Sequence, residues 1–153
     1  MLTNDVITYD IQNADLLRAL KALEAQALDL SQPLAEIGQA LETAVSERFD
    51  TESDPNGIAW ERLSDKTLAM RAKIGKTGKK LFEHGTMLGS WSRQSDAKTV
   101  QVGFGQPYAA YHEWGTKHMP RRGLLMGNPD AGTLGADDLE LVLDILSDHL
   151  AGA

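Results

Sequence analysis

The chain has no cysteine. Disulfides, thiol nucleophiles and zinc–thiolate sites are thereby excluded, and a reducing compartment is compatible with the protein. Long apolar runs are missing too: no stretch approaches the roughly 20 residues that a membrane helix needs. The first ten residues, MLTNDVITYD, lack the basic start and apolar middle of a secretory leader, so cytoplasmic synthesis is expected. Aromatic side chains make up only 6%, and residues 123–153 contain no lysine or arginine. What remains is the composition of a globular protein, 42% apolar and 24% charged, with a length suited to one domain with a real core.

Charge is unevenly placed. Residues 1–59 hold 11 acidic and 3 basic side chains, residues 60–122 hold 5 and 12, and residues 123–153 hold 6 and none, which sums to the net −7. An acidic–basic–acidic chain can neutralise itself within a subunit or match opposite faces of neighbouring subunits. Solvated charges on separate faces are the plainer alternative.

No catalytic constellation accompanies this pattern. Gly75-Lys76-Thr77 ends like a phosphate-binding loop, but Met70 stands where its first glycine belongs. Gly103 and Gly105 start a dinucleotide fingerprint that Tyr108 interrupts. His112-Glu113 resembles the start of a zinc-hydrolase helix, but its second histidine would fall at position 116, which is Thr116. Ser90, Ser92 and Ser95 have no nucleophile-elbow context. We therefore expect no enzyme activity, no cofactor and no metal.

Periodicity yields the elements. Residues 5–11, DVITYDI, alternate at Val6 or Ile7, Tyr9 and Ile11, as a strand does. Asn13 or Asp15 offers a cap for an amphipathic helix over about 14–29, with Leu16, Leu20, Leu23 and Ala27 in register. Pro33 suits the first turn of a second helix, whose face is Leu34, Ile37, Leu41, Val45 and Phe49. DTESDPNG, residues 50–57, is a loop. Ser64 caps a short helix holding Leu68 and Met70, and residues 82–90 read as another. Residues 91–97 and 99–104 read as a hairpin, 119–126 as extended, and 136–150 as a final helix. The order predicts one α+β domain spanning 1–153, with N- and C-terminal helices packed on a small, mainly antiparallel β-sheet.

The aromatic block PYAAYHEWGT, residues 107–116, has a proline at its start and a glycine near its end, the asymmetry of a short helix. It carries three of the nine aromatic side chains, so packing against the sheet is expected. The basic residues supply the positive functional signal. Arg71, Lys73, Lys76, Lys79 and Lys80 sit in a glycine-containing stretch, 71–80, expected to be an exposed loop. Arg121 and Arg122 follow a proline. These seven cations suit phosphates or an acidic partner surface. Trp60 is assigned to the core and Trp114, beside a loop, to an interface.

The motifs together resemble the phage virion morphogenesis family. D-P-x-G-x-x-W-x-x-L-x-x-x-T (Asp54, Pro55, Gly57, Trp60, Leu63, Thr67) is followed by Leu81, Gly85 and Leu88. Then come Val100, Val102 and Gly103, the Y-A-x-x-H-x-x-G of Tyr108, Ala109, His112 and Gly115, and Pro120, Arg122, Leu124 and Leu125. Two departures stand out: Glu113 replaces the more usual glutamine, and Gly123-Leu124 stands where a proline and an aromatic are common. The resemblance implies a structural tail-completion protein of a phage or prophage, acting at the head-proximal end of the tail in head–tail joining. Its partners would be copies of itself in a ring, expected to be six-fold, tail or neck proteins, and DNA in the channel, with no membrane. The rival reading is a small nucleic-acid-binding module built on the basic middle segment.

Overall fold

The computed structural model describes residues 12–25, 29–75 and 89–151. The central element is α2, Ser31–Thr51. It lies against both strands of a hairpin and against the C-terminal helix. Leu34, Ile37, Val45 and Phe49 form its buried face, as their spacing predicts. Asp29 organises its start, because one carboxylate oxygen accepts the Ser31 amide at 2.9 Å and the Ser31 hydroxyl at 2.6 Å. The helix stops at Glu52, which turns left-handed (φ 53) with its amide bonded to the Arg48 carbonyl.

Helix α1, Ala14–Ala25, packs on the C-terminal helix. Asn13 immediately precedes α1, but its side chain accepts the distant Leu134 amide at 2.8 Å instead of capping. Helix α3, Asp65–Lys73, starts at Ser64, whose hydroxyl oxygen accepts the Thr67 amide at 3.2 Å, the capping bond expected. Strands β1 (Trp91–Ser95) and β2 (Val100–Phe104) form an antiparallel hairpin with Trp91 opposite Phe104 and Ser95 opposite Val100. Asp96 shapes the turn, one oxygen accepting the Lys98 and Thr99 amides, both at 2.8 Å. Helix α4 is Ala109–Trp114 and α5 is Ala136–Ala151.

Among the described residues this is an α+β domain of five helices and a two-stranded antiparallel sheet, with helices flanking the sheet. Its core is stitched by edge-on aromatic contacts: Trp60 to Phe49 at 5.9 Å, Phe49 to Phe104 at 6.3 Å, and Phe104 to Trp91 at 5.3 Å. Leu16 of α1 and Val142 and Leu146 of α5 close it from the other side.

Three expectations meet a different outcome. Helix α3 runs through Arg71 to Lys73, so the basic stretch starts as helix, and Arg71 is buried. The segment over 119–126 is not extended throughout: it starts at the Thr116–Met119 bridge and bends at Leu124 and Leu125. The block at 107–116 forms its helix but turns its aromatics outward. Ala109 and Glu113, four residues apart, take the buried face, which leaves Tyr108, Tyr111 and Trp114 on the other. The expected strand at 5–11, the end of the first helix at 26–28 and nearly all of the helix at 82–90 lie outside the described residues.

Candidate interaction surface

The residues that carry the motifs converge on one buried segment, 121–127. It has no regular secondary structure, yet Arg122, Leu124, Leu125 and Met126 are all buried. Such a segment is stable only if its backbone groups find partners. The partners are nearly all supplied by side chains. Glu113, 2% exposed, accepts the amides of Leu124 at 2.9 Å, Leu125 at 3.1 Å and Met126 at 2.9 Å. The indole of Trp60 donates to the Gly123 carbonyl at 2.9 Å. Arg48 donates to the Leu124 carbonyl at 2.6 Å and forms a buried ion pair with Asp138 of α5. Arg121 donates to the Met126 carbonyl at 2.5 Å, and Asn56 donates to the Gly127 carbonyl at 2.9 Å. The Arg122 amide donates to the His112 carbonyl at 2.8 Å.

Arg121 ties this segment to the D-P-x-G loop. Its guanidinium also donates to the Glu113 carbonyl at 2.7 Å and reaches Asp54 at 3.4 Å and the Glu113 carboxylate at 3.5 Å. Asp54 in turn accepts the amides of Asn56 at 2.8 Å and Ile58 at 2.9 Å, which folds the loop. Gly123 suits this arrangement: a Cβ there would press on the Arg121 guanidinium, which its bonds to the Glu113 and Met126 carbonyls hold in place. Gly115 is demanded twice, by its φ of 73 and because its Cβ would meet the Arg121 amide nitrogen at 2.8 Å. Arg122 donates to the carbonyls of Glu61 at 2.9 Å and Arg62 at 3.2 Å. Both arginines therefore act inside the subunit, where the sequence suggested a partner.

His112 and Glu113 share no ligand geometry, because the carboxylate is taken by three amides. The His112 Nδ1 is buried with no hydrogen-bond partner among the described residues, and burial, with Arg122 adding to it, pushes the ring's pKa down from 6.5 to about 4. Among the described residues no group of three or more acidic or histidine side chains could hold a metal.

The outward faces differ sharply in character. On α4, Tyr108, Tyr111 and Trp114 are 39%, 58% and 42% exposed. On α3, Lys66, Met70, Lys73 and Ile74 are exposed along one helical face, a mixture of positive charge and apolar surface. On α5, Asp137, Glu140, Asp144 and Asp148 form an exposed stripe of one sign. Lys73 and Trp114 are thus where a partner could reach them, and Arg71 is buried. Lys76, Lys79 and Lys80 lie outside the described residues. The exposed aromatic face has the chemistry of an interface: large, rigid amphipathic rings beside charged neighbours.

The sequence profile of the phage virion morphogenesis family matches residues 11–151. A curated relative, the Mu-like prophage FluMu G protein 1 of Haemophilus influenzae, is 28% identical over 147 residues, covering 95% of each chain. No solved structure matches. No helix among the described residues is long and apolar enough to cross a membrane.

Proposed function

Because this chain belongs to the phage virion morphogenesis family, we propose that it completes the head-proximal end of a phage tail and supports head–tail joining. The role is one of virion assembly, and its chemistry is that of surfaces. The observation that carries the reading is the division of labour just described. The motif residues hold a buried segment and fix α4, while α4 presents three aromatic rings outward on a rigid base. A helix held by three carboxylate–amide bonds keeps its outer face in one geometry, which lowers the entropy lost on docking.

The mating partners are copies of this chain and neighbouring tail or neck proteins. The acidic stripe of α5 and the basic face of α3 are complementary and lie on different helices, so a head-to-tail contact that closes into a ring satisfies both. Six subunits would match tail symmetry. Assembly would take place in the host cytoplasm, and the product would travel with the virion.

The test is deletion and rescue in a prophage that carries this gene. Induced lysates without the protein should contain filled heads and separate tails by electron microscopy, and the intact gene should restore joined particles. Joined particles in the deletion would refute the role. Replacing Lys73, Lys76, Lys79 and Lys80 by Gln tests the basic stretch itself. Arg71 and Arg122 are excluded from that set because they are buried, and Arg121 because it holds the Glu113 and Met126 carbonyls, so any loss would be ambiguous. The nucleic-acid reading predicts instead that isolated protein binds duplex DNA with a steep salt dependence that the four substitutions flatten.

A further inference from the structure

The outer face of α3 combines two kinds of side chain. Met70 and Ile74, four residues apart, are each more than half exposed, and Lys66 and Lys73 are exposed on the same side. Apolar anchors one turn apart, bracketed by like charges, are what a helix uses to dock in a groove on another protein. A surface of matching character lies on α5. Asp137, Glu140, Asp144 and Asp148 are exposed along it. Leu141, half-buried among them, lines a cleft of about 340 Å³ together with Asp137, Ala44 and Glu47 of α2, and Pro55. The two faces also share a spacing. Lys66, Met70 and Lys73 fall at i, i+4 and i+7, and so do Asp137, Leu141 and Asp144. At 1.5 Å per residue, each pair of like charges spans about 10.5 Å along its helix. Among the described residues Lys66, Lys73, Asp137 and Asp144 take part in no ion pair, so joining them breaks none.

We propose that α3 of one copy docks along α5 of a second copy, the two helices running in the same direction, with Met70 entering the cleft beside Leu141. That register sets Lys66 against Asp137 and Lys73 against Asp144, one helical turn to either side of the apolar contact. Lys66 also comes to the cleft mouth, where Glu47 adds a second carboxylate. Met70 suits the insertion because an unbranched thioether adapts to an irregular cleft. A second copy is the occupant because every copy carries both halves of the match, opposite in charge and equal in spacing, and both stay exposed within its own fold. Each copy then uses its α3 toward one neighbour and its α5 toward the other, the heterologous arrangement that closes into a ring. The contact rests on the reading of this chain as an assembly protein and gives that reading a register and an anchor.

Charge reversal on the full chain, followed by sedimentation velocity, tests the contact. One variant carries Lys66→Glu with Lys73→Glu, and the other Asp137→Lys with Asp144→Lys. All four sites are exposed, so both variants should melt within a few degrees of the parent. Each variant alone sets like charges together and should raise the dissociation constant for self-association roughly 100-fold. An equimolar mixture of the two should associate again, because alternate contacts then pair Glu with Lys and Lys with Asp. A parent that stays monomeric, a folded variant that associates as the parent does, or a mixture that stays apart overturns the proposal. The lack of native cysteine allows a check of the register. Met70→Cys with Leu141→Cys should give a ladder of interchain disulfides under mild oxidation, and Met70→Cys with Asp148→Cys should not. Equal ladders from both, or a ladder from the second pair alone, overturn the register. Joined particles in the deletion strain would remove the virion role and leave this contact standing, whereas the outcomes above remove the contact and leave the role.

Discussion

Replacing Glu113 by glutamine is the most informative single perturbation. The carboxylate accepts three backbone amides at 2.9–3.1 Å from a position that is 2% exposed. Hydrogen bonds to a charged acceptor contribute about 1.5–3 kcal/mol each, and neutral ones about 0.5–1.5 kcal/mol. Glutamine keeps one acceptor oxygen. If it serves Leu124 and Leu125, each bond weakens by about 1 kcal/mol, and the Met126 amide faces an NH2 group. That orphaned donor costs about 1–3 kcal/mol more. Relief from burying a charge returns part of the loss. The net expectation is about 2–3 kcal/mol, or roughly 5–10 °C in Tm for a chain of this length. Urea or thermal unfolding measures the total. Amide exchange locates it: Leu124, Leu125 and Met126 should lose protection while the hairpin keeps its own. Glu113→Ala should cost more than Glu113→Gln. A glutamine variant within about 0.5 kcal/mol of the parent would refute the claim that the charge holds this segment.

Other perturbations follow from the same geometry. His112 is held neutral, with its pKa down at about 4 against 6.5 when unfolded, so the unfolded chain binds the extra proton between those values. Stability should therefore be full above about pH 6.5 and fall as pH drops toward 4. After allowance for a partly solvated ring, the loss by pH 5 is about 1 kcal/mol. Urea midpoints at pH 7 and 5 should show this slope reduced in His112→Phe, and an unchanged slope would contradict the assignment. Arg48→Met leaves Asp138 buried without its partner and the Leu124 carbonyl without a donor, at a cost of about 3–5 kcal/mol. Adding Asp138→Leu should recover a good part of that loss in the same unfolding assay, and a double variant as unstable as the single one would show that the pair is not the cause.

Much of the fold is legible in the sequence because its causes are local. The apolar face of α2, the Ser64 cap and the position of strand β2 each depend on neighbours in the chain. The buried segment is not local. Glu113 lies 11–13 residues from the amides it holds, and its partners are backbone groups that no side-chain pattern displays. Arg121 and Arg122 read as surface cations because a pair of arginines beside a proline usually is one. Here they meet backbone carbonyls outside helices and strands, Arg121 that of Met126 and Arg122 those of Glu61 and Arg62. Two signals were present all the same. Arg48 sits on the apolar stripe of α2, between Val45 and Phe49, where a charge implies a buried partner. Glu113 sits four residues after Ala109 in an otherwise aromatic block, on the face left for packing. Of the candidate interface residues, Lys73 and Trp114 are exposed as the sequence suggested. The outward turn of Tyr108 and Tyr111 was hidden by the assumption that aromatics pack inward.

The account rests on α4 as a mating surface built on a structural seam. Its most direct measurement is virion yield from a prophage carrying Tyr111→Ser and Trp114→Ser together, set beside the Tm of the same purified variant. Both side chains are well exposed, so Tm should move by no more than a few degrees. Plaque-forming particles should fall sharply, with heads and tails accumulating apart. Wild-type yield from a variant that is folded and expressed would contradict the account.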